Sequence, residues 1–355
     1  MLDEKTSYKI KVLSLVSIVM VLYIHSYNLG LLVSGSSMSI AGGINFFIQE
    51  FISQGLARAS IPIFFIISGF FLFKNFSYSS YPKILIKRYH SLVIPYLFWS
   101  ILVVGIFYLL QNIPSASSFF DRQLVEHTSL ATLVQMILIN PKNYPLWFIR
   151  DLIILIIVSP IIYYILKHYK SVYFILLLFL WLFFHDYNSI SFTFYKPDVL
   201  LFFSIGGCLA LYNQKILTLK ISNKSLMLLF VLYISLLLGK TYFVMTVDGD
   251  LFIEVLLRKI SIILGVFVVW FLLDRVSLKS FNSMTQFTFL LFVFHEPLLT
   301  ILKKGLLFIV GESHVNAMLI YLVTPALTIY ILSILGHYMK KYLPRVTSVV
   351  TGNRI

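Results

Sequence analysis

The stretch "VMVLYIHSYN", residues 19–28, closes a run of Ile, Leu and Val that begins near residue 10. Crossing the hydrocarbon of a bilayer takes roughly 20 apolar residues as a helix, because in lipid every backbone N–H and C=O must find its partner inside the segment. The run is long enough, yet it carries His25, an ionisable side chain that lipid should reject unless it has a partner or a task.

Composition extends this reading to the whole chain. The 355 residues are 59% hydrophobic and 12% charged, with a mean hydropathy of +0.91, outside the range of a soluble globular domain. About ten apolar runs are expected as membrane helices, near 10–30, 59–73, 92–110, 147–166, 172–184, 198–212, 225–239, 253–273, 287–308 and 317–337. They are continuously apolar, whereas strands of a membrane barrel would alternate. The run at 172–184 is short. "GGINFFIQEFISQG", within residues 42–56, is too polar to span and reads as an interfacial amphipathic helix. The expected fold is an all-α polytopic bundle with a central cavity, over residues 1–340, followed by a short cytoplasmic tail at 341–355.

The first run follows Lys5, Lys9 and Lys11 like a secretory signal, but it exceeds a signal's apolar core and lacks a small-residue cleavage site, so it reads as a retained helix. With the N-terminus inside, most Lys and Arg, including Lys74, Lys83, Lys87, Arg88, Lys167, Lys170 and Lys340, fall on one side. The positive-inside rule then places both termini in the cytoplasm. Basic loops against anionic lipid account for the +14 net charge without nucleic acid. Cys208 is a single cysteine, so no intrachain disulfide forms. No internal repeat or Pro/Gly/Ser linker separates a second domain. The irregular stretch from Gln111 to Pro145 contains "SLATLVQMILI", a helix suited to capping an outer opening.

Six ionisable residues stand out within or beside the predicted spans: His25, Arg58, Arg150 and Asp151, and His295 with Glu296. Each has a plain reading. A membrane histidine often bonds helix to helix. Arg150 and Asp151 neutralise each other or, being about 100° apart on a helix, serve different partners, which is the expectation here. Glu296 precedes Pro297, whose missing N–H frees a carbonyl and invites a local polar patch. "KILIKRYHSLVIPYLFW" places Lys83, Lys87, Arg88 and His90 at the cytoplasmic end of the third span. They are headgroup contacts or a seat for phosphates.

Together these features resemble the membrane acyltransferase 3 family of bacterial envelope O-acyltransferases. The family's first-helix signature, a basic residue and then a histidine eleven positions later, matches at His25, with Ser14 in the basic position and Lys11 one turn earlier. "RASIPIFFIISGFFLF" is similar to its Arg, Pro, Phe-Phe and Ser-Gly stretch at Arg58, Pro62, Phe64, Phe65, Ser68 and Gly69. "KRYHSLVIPYLFW" resembles its basic run before Ile-Pro-Tyr, with Ser91 in one usual basic position. "YPLWFIRDLIILIIVSP" matches at Trp147, Phe148, Arg150 and Asp151, and "FLLFVFHEPLL" at His295 and Pro297.

The resemblance implies a multi-pass protein of the bacterial cytoplasmic membrane. It implies a cytoplasmic acyl-CoA donor, acetyl-CoA being the expected one, and a carbohydrate or polysaccharide acceptor. His25 is then general base or transient acyl carrier, since imidazole exchanges protons near neutral pH. Arg58 or Arg150 would stabilise the oxyanion, and Asp151 would orient a base or hold the acceptor. Lys87, Arg88 and His90 would take the donor's phosphates, and Trp147, His295 and Glu296 would contact substrate. The rival reading is a transporter of a glycan or small solute. No His, Cys, Asp or Glu cluster shows metal-ligand spacing, and no nucleic-acid module is visible.

Overall fold

The computed structural model describes residues 3–31, 43–113, 125, 128–183, 196–212, 214–247, 251–276 and 282–354, and every regular element among them is helical. The helices are α1 (Glu4–Ser26), α2 (Ile44–Gln49), α3 (Ser60–Phe73), α4 (Tyr81–Arg88), α5 (Ile94–Gln111), α6 (Leu130–Leu138), α7 (Trp147–Ile157), α8 (Ser159–His168), α9 (Lys170–Phe183), α10 (Pro197–Tyr212), α11 (Asn223–Thr246), α12 (Leu251–Leu272), α13 (Asn282–Thr285), α14 (Thr288–Val310), α15 (His314–Tyr342) and α16 (Pro344–Val350).

The ten expected apolar runs fall on helices, but among the described residues not all of these are long and apolar enough to count as spans. Among the described residues, six helices are long and apolar enough to cross a membrane: Glu4–Ser26, Ile44–Phe73, Tyr81–Gln111, Asn223–Thr246, Phe252–Leu272 and His314–Tyr342. A seventh follows if the α7–α8 pair, bent by 63°, counts as one. The bend falls at Val158, where Pro160 cannot continue the ladder and Ser159 Oγ donates to Ile156 O at 2.8 Å. α9 and α10 are shorter. α14 is 23 residues long but carries Glu296, Lys303 and Lys304.

The segment expected to lie at the interface joins the bundle instead. α2 passes through a π turn (Glu50–Gly55) and a 3₁₀ turn (Leu56–Ala59) into α3, one helical run of 30 residues. The polar residues that suggested a wet face bond inward. Gln49 Nε2 donates to Asn28 Oδ1 at 2.7 Å, Ser53 Oγ lies 2.8 Å from Tyr321 Oη, and Glu50 pairs with the buried Lys240. Satisfying them inside the bundle removes the reason to face water.

α3 and α10 form the closest crossing. A Cβ built on Gly69 would lie 2.0 Å from Phe203 O, and one on Gly206 would lie 2.1 Å from Ile66 O. Only hydrogen fits at either position, so the two backbones touch as small-residue helix pairs do in lipid. α1 packs on α3, α14 and α15. Its start is tied to the end of α12 by the buried Lys9, which pairs with Asp274 at 2.8 Å and lies over the Trp270 ring.

Gly206→Ala is therefore expected to force α3 and α10 apart, costing about 1–3 kcal/mol and lowering the unfolding midpoint of the detergent-solubilised protein by several degrees. Gly105→Ala, where a Cβ meets nothing within 4 Å, should leave it unchanged. Equal midpoints for the two variants would rule out the close crossing.

Candidate active site

His25 lies in the last turn of α1. Its Nδ1 is 2.9 Å from Glu296 Oε2, although Oε2 makes no hydrogen bond of good geometry. The His295 ring lies edge-on to His25, with centroids 5.1 Å apart. His295 is fully buried, and its Nδ1 sits 2.9 Å from both Leu291 O and Phe292 O. Two carbonyls at that distance require a proton on Nδ1, so in the neutral ring Nε2 is the acceptor, and it has no partner among the described residues. Lys303, also buried, donates to the carbonyl of His25. The Tyr144 ring packs 5.9 Å from His25.

Two helices build this cluster by periodicity. Ser14 and His25 are eleven residues apart, three turns plus about 20°, so they share a face of α1 separated by about 16 Å of rise. On α14, Thr288, Phe289, Phe292, His295, Glu296 and Lys303 follow the i, i+3, i+4, i+7 pattern of one stripe. The start of both stripes lines a cavity of about 310 Å³ with Lys11, Ser14, Phe64, Phe148, Thr288, Phe289, Phe292, Arg88 and Arg354 in its wall. Its cations are Lys11, Arg88 and Arg354, and among the described residues no carboxylate lines it. Phe64, Phe148 and Phe292 touch one another, with centroids 5.5 to 6.4 Å apart, and Phe292 reaches the His295 ring at 6.4 Å. An aromatic cluster thus stands between the cavity and the histidine pair, and neither His25 nor His295 is among the residues lining that cavity.

Proline chemistry docks the surrounding pieces. Pro297 has no N–H for Val293 O, and Asn143 Nδ2 donates to that carbonyl at 2.7 Å. This holds the 3₁₀ turn Tyr144–Leu146, and with it Tyr144, against α14. Pro325 likewise leaves Tyr321 O to Ser26 Oγ at 3.0 Å, beside His25. Sequence reading anticipated a freed carbonyl at Pro297 but not its partner.

The remaining candidates are placed as follows. Arg150 and Asp151 do not serve different partners. Arg150 Nε and Nη2 donate to Asp151 Oδ1 at 2.8 and 2.6 Å, and Nη1 donates to Ile139 O. A guanidinium is long and flexible enough to fold back over its neighbour, which overrides the 100° separation of the Cβ atoms. Arg58 donates to Gln54 Oε1 at 2.8 Å and lies within electrostatic range of Tyr144, Glu50 and Arg258. Trp147 carries Lys196 Nζ 4.3 Å over its ring. Arg88 lines the cavity, whereas Lys87 and His90 are exposed outside it. Ser14 lines the cavity with its hydroxyl bonding Ile10 O at 3.0 Å, and Lys11 supplies the cation. Ser91 contributes its carbonyl to Arg354 at 2.7 Å.

Lys303, Tyr144 and Arg354 escaped the sequence reading. Lys303 follows Glu296 by seven residues, nearly two whole turns, a spacing that signals the same face. Nothing local marks the other two. His25, His295 and Glu296 also form a group that linear spacing did not reveal, with one potential ligand atom from each lying within 4.8 Å of the others.

Residues 8–339 match the family described as "Acyltransferase domain", so the chain belongs to the acyltransferase 3 family and is a multi-pass membrane acyltransferase. It is similar to the succinoglycan biosynthesis protein ExoH of Rhizobium meliloti (strain 1021), 26% identical over 321 residues, covering 86% of this chain and 82% of the relative. No solved structure matches it.

Asn143→Leu should orphan the Val293 carbonyl and lower stability by about 1–3 kcal/mol. Adding Pro297→Ala restores a backbone donor and is expected to recover part of the loss. Additive midpoints in thermal unfolding would refute the pairing.

Proposed function

We propose that this protein transfers an acyl group, acetyl being the first candidate, from cytoplasmic acyl-CoA to a hydroxyl of a cell-surface polysaccharide, with both termini in the cytoplasm. The observation that carries this reading is the His25–Glu296 pair at the far end of two helix stripes that begin in a cavity ringed by Lys11, Arg88 and Arg354. Phosphates of a CoA head suit those cations. The apolar wall toward Phe292 suits a thioester kept from water. ExoH is named for the biosynthesis of a polysaccharide, and this supports a carbohydrate acceptor.

Glu296 at Nδ1 holds the His25 ring so that Nε2 presents its lone pair, as the carboxylate does in a Ser-His-Asp triad. Nε2 takes the proton of the acceptor hydroxyl as its oxygen attacks the thioester carbonyl. The tetrahedral intermediate collapses by breaking the C–S bond, and the proton passes from the imidazolium to the departing CoA thiolate. His25 as transient acyl carrier gives the same products through an acyl-imidazole. Arg58 is the better candidate for the oxyanion, since Tyr144 links its surroundings to His25, whereas Arg150 is held by Asp151. His295, with Nε2 free to accept, would orient the hydroxyl. Asp151, whose Oδ2 is buried without a partner among the described residues, and Trp147 with Lys196 form a second polar group suited to a sugar.

Purified protein in nanodiscs with labelled acetyl-CoA and an oligosaccharide acceptor tests this directly. Release of CoA with acylation of the acceptor is expected, and a solute transporter would consume no thioester. His25→Ala should abolish transfer. Glu296→Gln should lower kcat by about 10²-fold or more with the KM for donor unchanged. Wild-type turnover from His25→Ala would reject the base.

The same three side chains are close enough to hold a metal ion, but a metal would claim the nitrogen that the base requires. Full activity is expected after dialysis against excess EDTA. Loss that zinc restores would transfer the assignment to a metal centre.

A further inference from the structure

The stretch "VVTGNR", residues 349–354, does not trail from the bundle. α16 packs on α5, and Trp99 Nε1 donates to Val350 O at 2.8 Å. Gly352 and Asn353 then take φ of +62° and +61°, two left-handed residues in succession that reverse the chain. A Cβ on Gly352 would lie 2.5 Å from Ser91 O, so the turn seats against α5's lead-in only because glycine has none. Asn353 N closes the turn on Ser348 O at 2.7 Å.

The reversal delivers Arg354 to the cavity. Its guanidinium lies 4.1 Å over the Phe289 ring, and Nη1 donates to Ser91 O at 2.7 Å and Thr351 O at 3.0 Å. Ser91 O is the carbonyl that Pro95, four residues on, cannot serve. Nε and Nη2 make no hydrogen bond among the described residues. Burial and the nearby charge of Arg88 pull Arg354 down to about 10, still cationic at neutral pH. Lys11, Arg88 and Arg354 thus line one cavity whose wall holds no carboxylate among the described residues, a repulsion that an anion with several charges relieves.

We infer that the C-terminal hook is part of the donor seat: Arg354, aimed by the Gly352–Asn353 turn, grips the phosphate groups of the CoA moiety together with Lys11 and Arg88. This rests on the donor reading above. Arg354 is held by backbone and aromatic contacts at one edge, leaving the other free for bidentate contact with phosphate oxygens. The hook therefore sets affinity for donor and leaves the acceptor side untouched.

The test is CoA binding by titration calorimetry to the full-length protein in phosphatidylcholine nanodiscs, with inorganic pyrophosphate in a parallel arm. Wild type should bind CoA, Arg354→Gln about tenfold more weakly, and Arg354→Lys in between. Gly352→Ala, which displaces the guanidinium without removing it, should lose affinity in step and serves if Arg354→Gln fails to assemble. In turnover, Arg354→Gln should raise the KM for acetyl-CoA and leave that for acceptor unchanged. Wild-type CoA affinity in both Arg354→Gln and Gly352→Ala overturns the hook while the donor reading stands. Pyrophosphate binding without CoA binding in the wild type reduces the cavity to a general anion or lipid-headgroup site and overturns both.

Discussion

A backbone carbonyl that loses its helical donor inside a membrane has no water to turn to, and much of this molecule is arranged around that constraint. Pro95, Pro297 and Pro325 each deprive the carbonyl four residues earlier. The three carbonyls, Ser91 O, Val293 O and Tyr321 O, are taken by Arg354, Asn143 and Ser26 from distant parts of the chain. Each bond docks something the site uses: the C-terminal hook at the cavity, the Tyr144 turn beside His25, and the end of α1 on α15. Prolines that look like helix defects thus act as attachment points.

A second constraint is helical phase. α1 and α14 run side by side, and each carries cavity-lining residues at its start and ionisable residues farther along one face. A ligand too long for either end alone would meet cations at one end and the His25–Glu296 pair at the other. From α3, Phe64 reaches Phe148 and Phe292 between the two ends. Shape and polarity along this path follow from which residues fall on the shared stripe.

The basic balance of the chain is only partly an adaptation to anionic lipid. Lys9 is buried against Asp274, Lys240 against Glu50, Lys259 against the carbonyls of Trp181 and Leu182, and Lys303 against His25 O. An uncompensated buried cation is costly, so each of these fastens one helix to another or to a carbonyl. Arg88, Lys11 and Arg354 differ in that no carboxylate among the described residues meets them.

Apolar run length was enough to read an all-helical membrane bundle and where its apolar stretches turn helical, though not how many of them span, because in lipid hydrophobicity and backbone satisfaction leave little choice. His25, His295 and Glu296 were visible as charges out of place. Their mutual arrangement was not, since 270 residues of chain separate the two halves of the cluster and only packing sets their distance. The helix at 44–55 was misjudged because its polar residues face partners that no local pattern reveals. Arg150 and Asp151 were set apart by backbone phase and reunited by side-chain reach. Which cations face the cavity was likewise a tertiary matter: of the basic run only Arg88 turns inward, and Arg354 arrives from the opposite end of the chain through a turn that glycine alone allows.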